Sequence, residues 1–205
     1  MKPQTYNSFL WNSVSDHGLH SPFVYSFVSS TFYEGRKPKN VKAAAGLDRH
    51  ALETLYKVIT NRKAFKLLVL GNEAPAVTEA IREVAGQENG QVWFFSELAS
   101  VPGGLDMAIL TGKGAESLLE QLQRAHQDSN NNTIVAVPNI HTTPFMEAAW
   151  AQIKNAPNVT VTIDTYHVGL VFFRKGQANQ HFAVRPDKRV LRDALLGAKN
   201  LWGLF

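Results

Sequence analysis

The chain has 205 residues, of which 44% are hydrophobic and 19% charged, as expected for one globular domain with a full hydrophobic core. It contains no cysteine, which excludes disulfide bonds, thiolate metal sites and a cysteine nucleophile. The net charge is +4, but no usual nucleic-acid-binding motif accompanies it, and a basic solvated surface is the simpler explanation.

Neither a signal peptide nor a transmembrane segment is predicted. The first residues lack the apolar core of a signal peptide, and no apolar run approaches the length needed to span a bilayer. We therefore expect a soluble cytoplasmic protein with a single domain over residues 1–205.

The N-terminal part, residues 1–61, is predicted to be helical. Residues 5–33 favour two short helices, because Ser21 and Pro22 combine a helix N-cap with a first-turn proline. His17 and His20 are spaced for one turn beside this start. Since no third metal ligand is evident, we expect them to cap and pack.

Short apolar strands alternate with helical segments through the middle of the chain. After a charged linker over 34–46, the pattern predicts helices over 47–61, 75–85, 114–126 and 143–154 and strands over 66–70, 91–95, 105–110 and 133–137. This alternation is typical of an open α/β sheet that is mostly parallel, and we place the α/β core at residues 62–182.

Residues 159–175 predict two further strands. Residues 159–163 alternate apolar and polar side chains, whereas residues 168–173 are apolar enough for a strand buried on both faces. Because a parallel return needs a crossover of about a dozen residues, the two strands must form an antiparallel hairpin. The basic tail over 183–205 carries apolar residues at helical spacing, and we expect it to dock on its own domain or on a second copy in a homodimer.

Three stretches of the chain resemble a known family. AAWAQIKNAPNVTVTID precedes the hairpin, GLVFFRKGQANQHF lies within and after it, and HGLHSPFVYSF lies near the N-terminus. Together they resemble a bacterial O-methyltransferase-like family of class I S-adenosylmethionine (SAM)-dependent methyltransferases. The resemblance implies a Rossmann-like methyltransferase sheet, SAM as cofactor, and methyl transfer to an oxygen of a small molecule.

The resemblance also implies which residues would hold SAM. Gly71 and Asn72 stand in the turn after the first strand, where glycine lets the backbone approach a ligand. Glu97 follows the second strand, where the family's acid holds the ribose. Val69 and Pro75 depart from the pattern, since the family has an acid at the first position and a glycine at the second.

A family segment is missing between the second and third predicted strands, so we expect the sheet to lack one edge strand. Only residues 98–104 precede the strand at 105–110. Seven residues span at most ~23–25 Å, and a parallel crossover needs ~20–22 Å. Residues 91–95 and 105–110 therefore either run parallel through a crossover without a helix or pair antiparallel.

The catalytic edge of the family is altered as well. Thr111 replaces an acid after the third predicted strand, and Pro138 and Asn139 follow the fourth, so the oxygen ligands of a hard cation are lacking and no metal is expected. His141 follows the fourth strand and is the best candidate for a general base. Tyr166, in the hairpin turn with His167, is a candidate for the mouth of a pocket.

Two functions are consistent with these features. The first is a SAM-dependent O-methyltransferase of a small molecule, with Gly71, Asn72 and Glu97 at the cofactor and His141 as base. The second is a catalytically inactive methyltransferase-fold scaffold that binds a partner or a different ligand. The altered positions favour the second, because function resides in sites and not in folds.

Overall fold

The computed structural model describes residues 3–15, 18–39, 41–98 and 100–187. His17 and the tail from residue 188 onward fall outside this part of the chain. The helices are α1 (Tyr6–Asn12), α2 (Pro22–Val28), α3 (Arg49–Asn61), α4 (Ala74–Gln87), α5 (Ala115–Gln127) and α6 (Pro144–Lys154). The strands are β1 (Lys66–Leu70), β2 (Trp93–Phe95), β3 (Met107–Leu110), β4 (Ile134–Pro138), β5 (Val161–Asp164), β6 (Val168–Phe172) and β7 (Gln180–Ala183).

Side-chain caps explain where several helices begin. The hydroxyl of Ser21 accepts the backbone N–H of Val24, and Pro22 occupies the first turn of α2, which confirms the predicted start. Asp48 caps α3 in the same way, and Thr143 caps α6. A π-helical segment over Ser29–Tyr33 follows α2 directly.

The sheet has the order β2-β1-β3-β4-β6-β5-β7. β1 pairs in parallel with β2 and β3, and β3 pairs in parallel with β4. β6 lies antiparallel between β4 and β5, so the predicted C-terminal hairpin is confirmed together with the α/β class. Strand β7, parallel to β5 at the far edge, was not predicted.

The position of β1 decides how the strands joined by residues 98–104 run relative to each other. β1 lies between β2 and β3 and is parallel to both. Residues 91–95 and 105–110 therefore run parallel, and the antiparallel alternative is wrong. On this side, among the described residues, the sheet ends at β2 with no further edge strand, as expected from the missing segment.

Two hydrophobic layers cover the sheet. Alternate residues such as Leu67 and Ile109 face α2, α3 and α4, whereas Leu68 and Leu110 face α5 and α6. Because helices cover both faces of the sheet, a ligand can approach the parallel strands β1, β3 and β4 at their carboxyl ends. In the described part of the chain, no helix combines the length and apolar character needed to cross a membrane.

Candidate functional site

A pocket of about 480 Å³ opens at the carboxyl ends of β3 and β4, and we call it the β3–β4 pocket. Its wall combines the starts of α4, α5 and α6 with a turn over residues 44–47 that precedes α3. Binding sites for small molecules typically measure about 300–1,000 Å³. In doubly wound sheets they lie beyond the carboxyl ends of strands, where the strand order reverses, and here that reversal falls between β1 and β3.

The loop after β3 forms one side of the pocket and is held by its own hydrogen bonds. The hydroxyl of Thr111 donates to the carbonyl of Leu70 at 2.7 Å, which ties the loop to β1. At the rim, Lys113 Nζ lies 2.8 Å from Glu73 Oε1. The rim therefore carries one balanced ion pair rather than an excess of either charge.

A backbone turn closes the opposite side. Ala45 and Gly46 both have positive φ, at 56° and 72°, and Asn139 has a φ of 62°. The amide of Asn139 donates to the carbonyl of Gly46 at 3.0 Å, so the turn is pinned to the end of β4. A strained backbone conformation costs about 1–3 kcal/mol per residue, and such residues tend to cluster at active sites and ligand clamps.

The pocket surface offers mainly apolar contacts. Leu47, Val77, Leu110 and Met146 line it, and all four are buried in the domain. Phe145 also lines it but is 79% exposed, which leaves a large apolar face at the mouth. A ligand with an apolar portion fits such a surface better than a uniformly polar one.

Gly71 lies beside this pocket but is packed by the protein itself. Its φ is +101°, and a Cβ at this position would lie 2.7 Å from Thr111 Oγ1 and 2.8 Å from Gln121 Nε2. Glycine is thus required here by a close contact within the chain. Asn72 is exposed, and the side chain of Val69 is buried in the core.

Glu97 is exposed after β2, and its position is fixed through its backbone. Its carbonyl accepts the guanidinium of Arg124, with Nη2 at 2.9 Å. Gly71, Asn72 and Glu97 do not belong to the lining of the β3–β4 pocket. The glycine at 71 is thus explained by packing within the chain, and Glu97 lies apart from the β3–β4 pocket. The role of these residues in holding SAM stays a prediction.

His141 is buried between two carboxylates. Its Nδ1 lies 2.9 Å from Glu147 Oε1, and its Nε2 lies 2.8 Å from Asp164 Oδ2. Burial alone would lower the pKa of His141, but the hydrogen bond and charge of Asp164, followed by those of Glu147, raise the pKa above its usual value. Because carboxylates only accept hydrogen bonds, the imidazolium form, which donates from both nitrogens, matches this setting.

The His141 cluster fastens helix α1 to the sheet. Glu147 also accepts the backbone N–H of Gln4, and Tyr166 donates its hydroxyl to the Gln4 carbonyl at 3.2 Å while stacking on His141. Phe9 of α1 packs on the same two rings. His141 lies outside the pocket lining, and its role as a base stays a prediction.

Tyr166 and His167 line a different cavity of about 390 Å³ beside α1 and α3. There His167 Nδ1 lies 2.8 Å from Asp48 Oδ2. Burial would raise the pKa of Asp48, but the hydrogen bonds from His167 and Ala51 and nearby positive charge lower the pKa below its usual value. Asp48 thus links the hairpin turn to the start of α3.

No group of three or more His, Cys, Asp or Glu side chains is arranged to hold a metal ion anywhere in the described chain. At the positions where the family has oxygen ligands, Thr111 bonds to the backbone and Asn139 holds the turn over residues 44–47. Both side chains therefore use their polar groups in hydrogen bonds that hold the wall of the β3–β4 pocket.

Sequence reasoning missed the contribution of residues 45–47 to the pocket, because residues 45 and 46 end the predicted charged linker and Leu47 begins the helix predicted over 47–61. One signal was present, since Gly46 and Leu47 precede an aspartate that caps the next helix. The contact with Asn139 joins positions 93 residues apart, and no local pattern indicates it.

Comparisons with known proteins add little about the site. No family model matches the sequence, and no curated protein does. Among solved structures, a methyltransferase from Podospora anserina with bound SAH is 11% identical, with a TM-score of 0.42, over 85% of this chain and 99% of that one. An uncharacterized protein from Listeria monocytogenes serotype 4b is 11% identical, with a TM-score of 0.31, over 79% and 71%. At these values neither likeness carries an argument about function.

Proposed function

We propose that this chain is a methyltransferase-like protein that binds a small molecule in the β3–β4 pocket and does not turn over SAM. The observation that carries the proposal is the contrast between that cavity and the turn after β1. The cavity is open, whereas Gly71, Asn72 and Glu97 lie outside its lining, and the glycine at 71 is explained by its close approach to Thr111 and Gln121.

Three features support a small ligand. The pocket lies at the carboxyl ends of the strands, its volume of about 480 Å³ suits a small molecule, and its wall is pinned by strained backbone. Its apolar surface, with Phe145 at the mouth, favours a ligand that has an apolar part.

A SAM-dependent O-methyltransferase is the second candidate. One observation favours it: Glu73, two residues after Gly71, lines the pocket, so a cofactor at the turn after β1 would adjoin a substrate cavity. Gly71, Asn72 and Glu97 would then hold SAM, and His141 would be the base.

Calorimetric titration of SAM and S-adenosylhomocysteine into the purified chain separates the two candidates. We expect no binding heat at several temperatures and no thermal stabilisation by either compound. Micromolar binding that is lost in Glu97→Ala would contradict the proposal and establish the methyltransferase. Glu97→Ala is a suitable probe because this exposed side chain contributes little to folding.

The pocket itself is tested by a thermal-shift screen of small apolar and amphipathic molecules. A ligand of the pocket should bind several-fold more weakly to Phe145→Ala. Leu98→Ala is the matched control, because Leu98 is 97% exposed and lies outside the pocket. Equal losses in both variants, or no stabilising compound in a broad panel, would count against a small-molecule site.

The homodimer and the cytoplasmic location stay predictions. Light scattering coupled to size-exclusion chromatography tests the homodimer directly. A monomer at micromolar concentration would count against the homodimer and favour docking of the basic tail on its own domain.

A further inference from the structure

A second cavity lies at the opposite end of the sheet, by the amino ends of β3 and β4, and we call it the basal cavity. Its volume is about 380 Å³. Five separate parts of the chain meet there: α2, the residues after α3, the residues before β3, the segment leading into β4 and the end of β6. It is distinct from the β3–β4 pocket and shares no lining residue with it.

Aromatic rings form the floor of the basal cavity. Phe172 meets Phe23 and Phe27 edge to face, with ring centroids 5.1 Å apart in both pairs. Phe27 and Phe172 are each only 2% exposed. Phe23 and Phe27 belong to the HGLHSPFVYSF stretch, to which the sequence assigned no chemistry. The floor is therefore rigid, because its rings are fixed by the core beneath them.

Three cations surround this floor: Arg62, Lys63 and Arg174. The guanidinium carbon of Arg174 lies 4.0 Å from the centroid of Phe23. That of Arg62 lies 5.1 Å from the centroid of Phe27. Stacking on aromatic faces orients both planar groups. Arg62 donates Nη1 to the Ser30 hydroxyl at 3.0 Å, and Arg174 donates Nη1 to the Asn131 carbonyl at 3.4 Å, so a ligand would be met by their other N–H groups.

The positive charge of the basal cavity is not balanced. Within the described residues, none of the three cations forms an ion pair with a carboxylate. The acid in the lining, Asp106, directs Oδ2 to the backbone N–H groups of Phe65 and Lys66, at 3.0 and 2.9 Å. Burial lowers the pKa of Arg62, which reflects the cost of desolvating a charge without a counter-ion.

A purely structural role explains only part of this arrangement. Arg62 and Lys63 follow α3, where cations interact favourably with the helix dipole. Arg174 comes from the end of β6, where stacking on Phe23 holds its guanidinium beside the same cavity as the other two cations. Convergence of the third cation on the same cavity is the feature that indicates a ligand.

We propose that the basal cavity binds a small molecule that carries a phosphate monoester, with the phosphate held by Arg62, Lys63 and Arg174. Two guanidinium groups can each donate two parallel hydrogen bonds to phosphate oxygens. Three cations match a dianionic phosphate better than a singly charged carboxylate. An aromatic or apolar ester group would contact the ring floor.

The probe is phenyl phosphate, titrated calorimetrically at low ionic strength. We expect binding that weakens as salt rises, and a loss of about tenfold or more in affinity in both Arg174→Gln and Arg62→Gln. Arg82→Gln is the matched control, because Arg82 also stacks on a ring, that of Phe94, but lies outside the cavity. The control should bind like wild type.

Several results would overturn the proposal. One is the absence of binding by a wild-type protein that melts cooperatively. Another is an equal loss of affinity in Arg82→Gln, and a third is a loss in Lys113→Gln alone, which would place phosphate in the β3–β4 pocket.

A second experiment uses vesicles that contain phosphatidic acid. Co-sedimentation of the protein with these vesicles, without binding of phenyl phosphate, would show that the cavity binds a lipid surface and would contradict a soluble ligand. If Arg174→Gln fails to fold, the affinity of Arg62→Gln and the salt dependence of wild-type binding still test the proposed phosphate site.

Discussion

The two sides of the sheet are built very differently. On the hairpin side, every residue of β4 and β6 is buried, and β6 is hydrogen-bonded on both edges. On the other side, β2 has three residues, none of them buried, and its Trp93 is 53% exposed. The difference teaches that the buried core of the sheet rests mainly on the hairpin side, whereas the β2 edge contributes little buried surface.

The largest test of this comparison removes one aromatic residue from each side. Phe172→Ala should lower the free energy of unfolding by about 3–5 kcal/mol, because the ring is 2% exposed and packs on two other rings. Trp93→Ala, at the exposed edge, should cost less than about 1.5 kcal/mol. Denaturant titrations measure both. Similar losses in the two variants would show that β2 carries as much of the fold as the hairpin.

The second test compares a buried charge cluster with an exposed ion pair. His141→Gln should lower the free energy of unfolding by about 2–4 kcal/mol near pH 6, because it leaves Glu147 and Asp164 without their partner. Lys113→Gln at the pocket rim should cost less than about 1 kcal/mol, because the lysine side chain is 82% exposed.

The pH dependence of the His141 effect has a definite sign. The pKa of His141 is raised in the folded protein, so its imidazole binds a proton more tightly there than in the unfolded chain. The stabilisation is complete below the unfolded pKa of about 6.5 and is lost as pH rises through the folded pKa. The difference between wild type and His141→Gln should therefore shrink toward pH 9. A difference that grows with pH would show that the neutral imidazole is the form the cluster binds.

The third test concerns close packing under the hairpin. A Cβ on Gly169 of β6 would lie 2.6 Å from two ring carbons of Trp150, so Gly169→Ala should destabilise the protein by about 1–3 kcal/mol. In a Trp150→Leu background the same change should cost clearly less, because the ring is gone. Additive effects of the two substitutions would contradict a direct clash.

The smallest expected effect lies on the opposite side and has the opposite sign. Gly86 stands near the end of α4, and a Cβ there would meet no atom within 4 Å. Gly86→Ala should stabilise the chain by about 0.5–1 kcal/mol, because alanine loses less backbone entropy in a helix. A decrease in melting temperature would show that this helix end needs the freedom of glycine.

Local patterns predicted most elements because they act over a few residues. The strand over 66–70 and the capped start at Ser21 follow from periodicity and side-chain caps that the structure reproduces. Strand β7 escaped prediction because its four residues include Gln180 and His181, and it pairs only at an exposed edge. Its formation depends on β5 already being in place.

The candidate site was predicted less well. Gly71 and Glu97 were chosen from a family pattern that places both at one cofactor, but neither lines the β3–β4 pocket, and their role stays a prediction. His141 was chosen because it follows a strand, but its partners Glu147 and Asp164 come from other elements, and no local pattern indicates those contacts.

The sequence alone determined the α/β class and the antiparallel hairpin. These follow from periodicity and from the reach of a short loop. Only the tertiary structure decided that β1 lies between β2 and β3, that the turn over residues 44–47 closes a pocket, and that Arg62 and Arg174 face one cavity. Such contacts join residues tens to more than a hundred positions apart, and they are fixed by how the layers pack rather than by any local pattern.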